Sequence, residues 1–530
     1  MQNRIKILLV LIACIIFAYT TAKVSVAEKN ESESKPAALA LPQAFPTPVI
    51  SSNIPTQVTI PAGVSGPVAV RPYFDYFSWQ SFVALNWQVA MSGGQPQRGQ
   101  PSSSQNLNGV GMRVWQSYKA DWETFRPQGA PPTDWNSYAL NPSGATNPCG
   151  GTPSGAEILP LISKMDSVID GFNQAFSGPL IDQQKNYVRY EIHLNEVDYN
   201  TIVNTKWYIF SNVSRDPSQP NVFPWASIEV KAAWKILNQA EITSGRFFTM
   251  PAQVVNPGSQ QCQQTTVGLV GFHIANKVAP FREWVWSTFE HVDNVPVDPK
   301  ASPLPNPMPS PPPNGWSFNN GTSTPATTNG YSYEPSPLPD NSPLPPSPTP
   351  VQVVRFTPIT YAGQNGPTTD QINAQWRAAL SGTVWQNYEL VATQWPSTND
   401  NFQVKRPASC PNPSNPMCNA TGVYPQNADN PFPAQNVANT TMETYFQNSV
   451  SGGGSTCMQC HYGASQDDFT FLLAKEAYKP PQQQGMFMAV APTKAGRKAS
   501  KPQLLTDPIL EDLRRLTKPT GKPQTTRPKR

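Results

Sequence analysis

The 530 residues are long enough for several domains, but only 14% are charged and 60 are proline, so much of the length is loop or extended chain rather than packed core. The net charge of +4 divides into +8 on residues 494–530 and −4 on the remainder; the basic end reads as a solvated tail, with weak contact to anionic lipid or an acidic partner as the other reading. There is no basic stripe interleaved with aromatics and no nucleic-acid module, which excludes nucleic acid as a partner, and GxSxG, HExxH, phosphate-loop and dinucleotide fingerprints are missing.

In chain order, residues 1–27 read as an export signal. "MQNRIK" is a positive start, Ile7 to Tyr19 is apolar, and small residues at Thr20/Ala22 and Ser25/Ala27 offer cleavage points. The apolar run is short for a span of ~20 residues. A retained anchor, or lipidation at Cys14 in "LIAC", is the alternative, and membrane contact is expected only there. Residues 28–70 are Ala-, Pro- and Ser-rich and read as a disordered tether.

Residues 71–295 are expected to form an aromatic-rich α+β domain. "YFDYFSWQSFVALNWQ" has the spacing of an amphipathic helix, "MRVWQSYKADWETFRP" looks like a second helix ending before Pro127, and a helical patch follows near Ala156–Phe176. Between 187 and 294, four β-branched and aromatic stretches with partial alternation predict a mainly antiparallel sheet. Arg189, Glu191, His193 and Asn195 would share one strand face, as would Glu229 and Lys231; a solvent face is the ordinary reading and a buried polar cluster the other.

Residues 296–352 are a Pro-rich linker or a surface-wrapping coil, with 16 prolines in positions 301–350. Residues 353–430 resume the α+β domain, with a helix starting at a cap, Thr369 or Asp370. Residues 431–490 form a short C-terminal unit and 491–530 a basic disordered tail. The expected fold class is therefore α+β, a β-rich, Trp-containing N-terminal region followed by a small all-α unit.

Seven cysteines sort by position. Setting aside Cys14, Cys457 and Cys460 leaves four in an exported chain, which suggests two disulfides, Cys410–Cys418 across a turn-rich loop and Cys149–Cys262, with free buried thiols as the alternative.

The chemistry concentrates in "CMQCH", Cys457 to His461. Two thiols one helical turn apart can add across two porphyrin vinyl groups, and the next residue then lies under the ring as an axial iron ligand. A thioredoxin-like pair would need a βαβ setting, and a zinc site would need two more ligands than any second motif here supplies. The C-terminal unit resembles a c-type cytochrome on Cys457, Cys460 and His461, over some 60 residues from about 430 to 490. The resemblance implies one covalent haem c, a helix over "NVANTTMETYFQNS" with Val437, Met442, Tyr445 and Phe446 on one side, and, after Asp467 or Asp468 as a cap, Phe469, Leu472 and Leu473 available to the porphyrin. The whole chain also resembles a group of exported bacterial proteins with Trp-rich blocks such as "FSWQSFVALNW" and one late CxxCH, a likeness that carries no activity.

The resemblance would place a methionine as sixth ligand, and Met486 and Met488 are the candidates, though closer to His461 than the family pattern. His273 and His291 are the candidates for a distal ligand or base from the large domain, with His193 behind them. The expected function is single-electron transfer in the periplasm or bacterial envelope, to a redox partner protein or small donor or acceptor. The alternatives are a haem oxidoreductase or peroxidase, whose substrate the large domain would hold, and a haem-based sensor.

Overall fold

The computed structural model describes residues 45–479 apart from scattered short breaks and the segments 150–154, 160–178, 256–261, 322–347, 360–365, 396–400, 404–422, 426–437, 445–460 and 462–466. In chain order the elements are helix α1 (Pro67–Leu85), strands β1 (Val89–Ser92), β2 (Gln95–Pro101) and β3 (Lys119–Ala120), the single turn α2 (Asp121–Thr124), β4 (Glu157–Leu159), β5 (Arg189–Leu194), α3 (Glu196–Thr205), β6 (Ile228–Ile236), α4 (Gln239–Ser244), β7 (Thr249–Val255), β8 (Cys262–Asn276), β9 (Val285–His291), α5 (Thr369–Ala379), β10 (Tyr388–Gln394), a β11 (Asn401–Gln403) and β12 (Val423–Pro425) pair, and α6 (Leu472–Glu476). The fold is mixed α and β, with few helices around one large sheet.

That sheet has eight strands among the described residues, ordered β10-β9-β8-β6-β5-β3, with β7 joined to β8 and β4 to β7. All its pairs are antiparallel except β4–β7. The 15-residue β8 is the spine. One edge of it pairs with β6, while on the other edge Cys262–Gly268 pairs with β7 and Gly271–Asn276 with β9.

Side-chain alternation gives the sheet two different faces. Val230 and Ala232, Phe272 and Ile274, and Phe289 face α1 and α5 in the main core. Trp79 of α1 is fully buried there, stacked on Trp376 at 5.7 Å, edge-on to Phe289 at 5.0 Å, with its Nε1 donating to Asn373 Oδ1 at 2.9 Å. Phe82 stacks on Phe289 at 4.3 Å. Such aromatics each remove a large apolar area from water and gain further from tilted and stacked geometry. The amphipathic helix expected here is in fact buried on almost every side, because α5 covers the flank the sequence assigns to solvent. Helix α5 starts one residue beyond a Thr368 capping box with Gln371, close to the expected cap.

The helix expected over residues 112–126 is replaced by a 3-10 turn (Trp115–Ser117), β3 and α2. The buried Arg98 takes the carbonyls of Ser117 and Tyr118 at 2.7 and 2.9 Å, and its guanidinium and Lys119 both pair with Glu123. Guanidinium bonds to these carbonyls compete with the i+4 amides of a helix. The patch expected near 156–176 is strand at Glu157–Leu159, and its remainder lies outside the described residues.

Residues 45–64, placed by composition in the tether, lie against the domain: Phe45 meets the ring of Tyr73 at 5.6 Å and Gln57 bridges Ala279. At the ends of the Pro-rich stretch, Val353 N donates to Phe318 O at 2.8 Å and both side chains are buried, so these ends pack into the domain. Cys149 and Cys262 form a disulfide closing a sequence separation of 113, a constraint on the unfolded chain of roughly 4–5 kcal/mol in the chain-entropy model. Of the all-α unit expected over 431–490, the described residues are 438–444, with a turn at 440–442, His461, and 467–479 with the short α6; the rest, including most of the expected helix, lies outside them. The signal at 1–27, the tail at 491–530, and Cys14, Cys410 and Cys418 lie outside the described residues. Among the described residues no helix is long and apolar enough to cross a membrane.

Candidate functional site

The second face of the sheet carries polar side chains among apolar ones. Register puts Lys231, His273 and Thr288 in one row, and Glu229, Ala275 and Trp286 in the next. Two segments from the far end of the chain lie on this face. In the first, Asn439 Nδ2 donates to Thr288 Oγ1 at 2.8 Å and Phe289 O at 2.9 Å, Thr440 Oγ1 donates to Glu290 at 2.6 Å, and Thr441 O accepts from Tyr190 at 2.8 Å. Gly271 lets this segment sit so close, since a Cβ there would be 2.0 Å from Thr441 Oγ1.

The second segment follows the motif. Asp468 and Phe469 both adopt left-handed backbone, φ 58° and 65°, a conformation costing a non-glycine residue roughly 1–3 kcal/mol. The sheet holds them in it. Lys277 pairs with the Asp468 carboxylate, Phe223 N donates to the same oxygen at 2.8 Å, and Trp284 Nε1 donates to Asp468 O at 2.8 Å. Next to it, Asp467 is gripped by Arg215 at 3.1 Å and Asn221 at 2.7 Å; burial pushes its carboxyl up, and these two partners pull it back. Tyr478 closes the segment, its N–H donating to Tyr208 O and its carbonyl accepting from Phe210 N.

The consequence of the strained turn is the placement of one carbonyl. Phe469 O lies 2.6 Å from His461 Nδ1. A carbonyl only accepts, so Nδ1 carries a proton, and in the neutral ring the lone pair is on Nε2. The imidazole lies between Trp286, centroid distance 4.2 Å, and Phe471, 5.2 Å. An Nδ1–H held on a backbone carbonyl is the outer contact that metal-ligating histidines commonly make. Trp286 Nε1 is buried and has no hydrogen-bond partner among the described residues, so the surroundings of His461 hold an indole donor that a bound group with acceptor atoms would satisfy. The residues fit a haem in this respect.

His273 stands diagonally across from Trp286 on the same face, with Nε2 3.5 Å from Glu443 Oε2. Burial alone would raise the Glu443 carboxyl, but His273, Lys231 and the Asn439 amide together hold it below the usual glutamate range. His291 differs: Nε2 donates to Arg246 O at 3.1 Å, Nδ1 accepts from Asp293 N at 3.1 Å, and the ring stacks on Phe247 at 3.9 Å. Both nitrogens are engaged, and burial lowers its pKa to about 4, against the opposing pull of Asp293. His193 lies on the opposite face, 3.0 Å from Glu191. Cys457, Cys460, Met486 and Met488 lie outside the described residues.

Phe469, Leu472 and Leu473, expected to face a porphyrin, are buried in a cluster with Trp207, Phe223 and Trp284. Asp467 and Asp468 do not cap α6; their carboxylates are taken by the sheet and the 215–223 loop. Arg189 and His193 are buried as well, so the polar face of β5 is an interior one. Sequence reasoning missed Lys277 and Trp284 and read Asp468 only as a helix cap; these three set the Phe469 carbonyl. No local pattern connects positions nearly two hundred apart; the remaining clue was Asp-Asp four residues before a hydrophobic pair, and it reads as a cap.

No family model, curated protein or solved structure matches the chain.

Proposed function

We propose that this chain is an exported c-type haem protein that passes single electrons. One observation supports the reading above the others: His461, the last residue of Cys457-Met-Gln-Cys-His461, has Nδ1 fixed on Phe469 O at 2.6 Å, which leaves Nε2 as its ligating nitrogen. Cys457 and Cys460 would supply the two thioether sulfurs. A bound haem c would contribute an iron that cycles between two oxidation states. The chain's own part is to hold His461 in one tautomer, to exclude water with Trp286, Phe471 and the buried cluster behind them, and to keep the neighbouring electrostatics constant through the Lys277–Asp468 pair. The export-signal reading of residues 1–27 supports a location in the periplasm or envelope, where a redox protein or small donor or acceptor would be its partner.

A second reading, a haem oxidoreductase, is favoured by His273 and Glu443, a histidine–carboxylate pair on the same sheet face as His461 and of the kind that serves as a distal acid–base group. The test is expression of the full chain in a host that assembles c-haem, followed by mass measurement, pyridine haemochrome and CO-difference spectra. One added porphyrin mass, lost in Cys457→Ser/Cys460→Ser, with a spectrum indifferent to CO, is the expected result. CO binding that changes in His273→Ala selects the oxidoreductase reading, and a colourless chain without added mass overturns both.

A further inference from the structure

On the sheet face opposite His461, β5 presents Glu191 and His193, two residues apart and therefore on one side of the strand. Strand β4 brings Glu157 to them. One carboxylate oxygen from each glutamate and one ring nitrogen of the histidine lie within 4.8 Å of one another. Donors about 2.0–2.2 Å from a shared metal stand at most about 4.4 Å apart, so one ion spans this group with little adjustment.

The hydrogen bonding orients these donors. His193 Nδ1 faces Tyr118 O at 3.4 Å, and since the carbonyl only accepts, Nδ1 carries the proton. Nε2 lies 3.0 Å from Glu191 Oε2, where a neutral ring offers a lone pair and a protonated ring donates; burial lowers the His193 pKa, and Glu191 with the Tyr118 carbonyl more than offsets it. Trp234 Nε1 donates to the other oxygen of Glu191 at 2.6 Å, away from the meeting point. Two carboxylates and an imidazole converge where the histidine is 3% exposed and the Glu191 side chain 10% exposed, and like charges at such burial are costly. Two extra protons would resolve this. A single divalent cation would too, cancelling both carboxylates and leaving the imidazole neutral. The carbonyl on Nδ1 and the indole on Oε1 are the outer contacts that orient metal ligands.

We propose that Glu157, Glu191 and His193 bind one divalent transition-metal ion, at a site separate from His461 and independent of the haem reading. One nitrogen and two oxygens suit Zn²⁺, Fe²⁺ or Mn²⁺ rather than thiol-seeking ions. Three protein ligands leave a position for water or a small molecule.

The test strips the full-length protein with a chelator, titrates it with Zn²⁺ by calorimetry, and counts retained metal after desalting. The expected result is one tightly held Zn²⁺ per chain, with affinity reduced on the order of 100-fold in Glu157→Gln and in His193→Gln. Glu157→Gln keeps the side-chain shape and mimics a protonated glutamate, so a shared-proton cluster tolerates it. Variants that fold and hold Zn²⁺ as the parent does overturn the proposal. Failure of the parent to retain one equivalent overturns it whether or not the variants fold.

Discussion

On the α1 side of the sheet, Trp79, Phe82, Phe289 and Trp376 bury large rings against one another. On the other side, the chain's late segments are fastened by Asn439 on Thr288, Thr440 on Glu290 and Asp468 on Lys277. The first face gains stability from area removed from water, which is tolerant of direction. The second gains position: each anchor works at one geometry only, and together they bring a single carbonyl to His461. A buried pair such as Lys277–Asp468 adds little net stability once desolvation is counted, but it is costly to break from one side.

That contrast can be broken from either face. Trp79→Ala is expected to lower global stability most, by about 4 kcal/mol, through lost burial and the cavity left behind; a urea titration should show protection falling throughout the molecule, α1 included. Lys277→Met leaves Asp468 buried without its cation and is expected to cost about 3–4 kcal/mol. Its distinguishing mark is local: amide exchange around Phe469–Phe471 rises while that of α1 is little changed. Equal loosening of both faces would mean that the fastenings serve general stability.

Acid separates the faces by window. His291, whose ring meets those of Phe247 and Tyr388, is kept neutral with a folded pKa of about 4. The unfolded chain takes up that proton below its ordinary value of about 6.5, so the contribution is complete above pH 6.5 and declines towards pH 4, by about 3 kcal/mol. Unfolding midpoints measured across that range should fall, and His291→Gln should flatten the slope. Glu443, held below its usual range, contributes above the ordinary glutamate value and is lost only as pH falls through its lowered one. The smallest change is Gly271→Ala, whose methyl collides with Thr441. Overpacking there is expected to cost about 2 kcal/mol and to free residues 439–444 before anything on the α1 face, as limited proteolysis would show.

Much of the sheet could be read from residue patterns. The four stretches between 187 and 294 are β5, β6, β8 and β9, because alternation between an aromatic core and a second face survives in the residues themselves. The Cys149–Cys262 bridge followed from counting thiols. What resisted reading has a common cause, which is buried charge. Arg98, Lys119 and Glu123 override the helical spacing of 112–126, and Arg189 and His193 occupy what looks like a solvent face. A charged residue signals exposure unless its partner is known, and here partners come from other elements. At His461 the chemistry could be proposed from five consecutive residues. Its setting could not, because Trp286 and the Asp468 turn meet it only through the fold.

Helix α1 and strands β5 to β9 precede residue 292, whereas their second face is covered by residues 438 and beyond. A chain delivered from its N-terminus has most of its sheet available before that cover arrives. During this interval Trp284 and Trp286 would be wet and Lys277 without its aspartate, a vulnerable stage that ends as the last part of the polypeptide emerges. Docking of the motif segment is thus also the step that seals the molecule, and a truncation upstream of residue 438 would leave a sticky, half-clad intermediate.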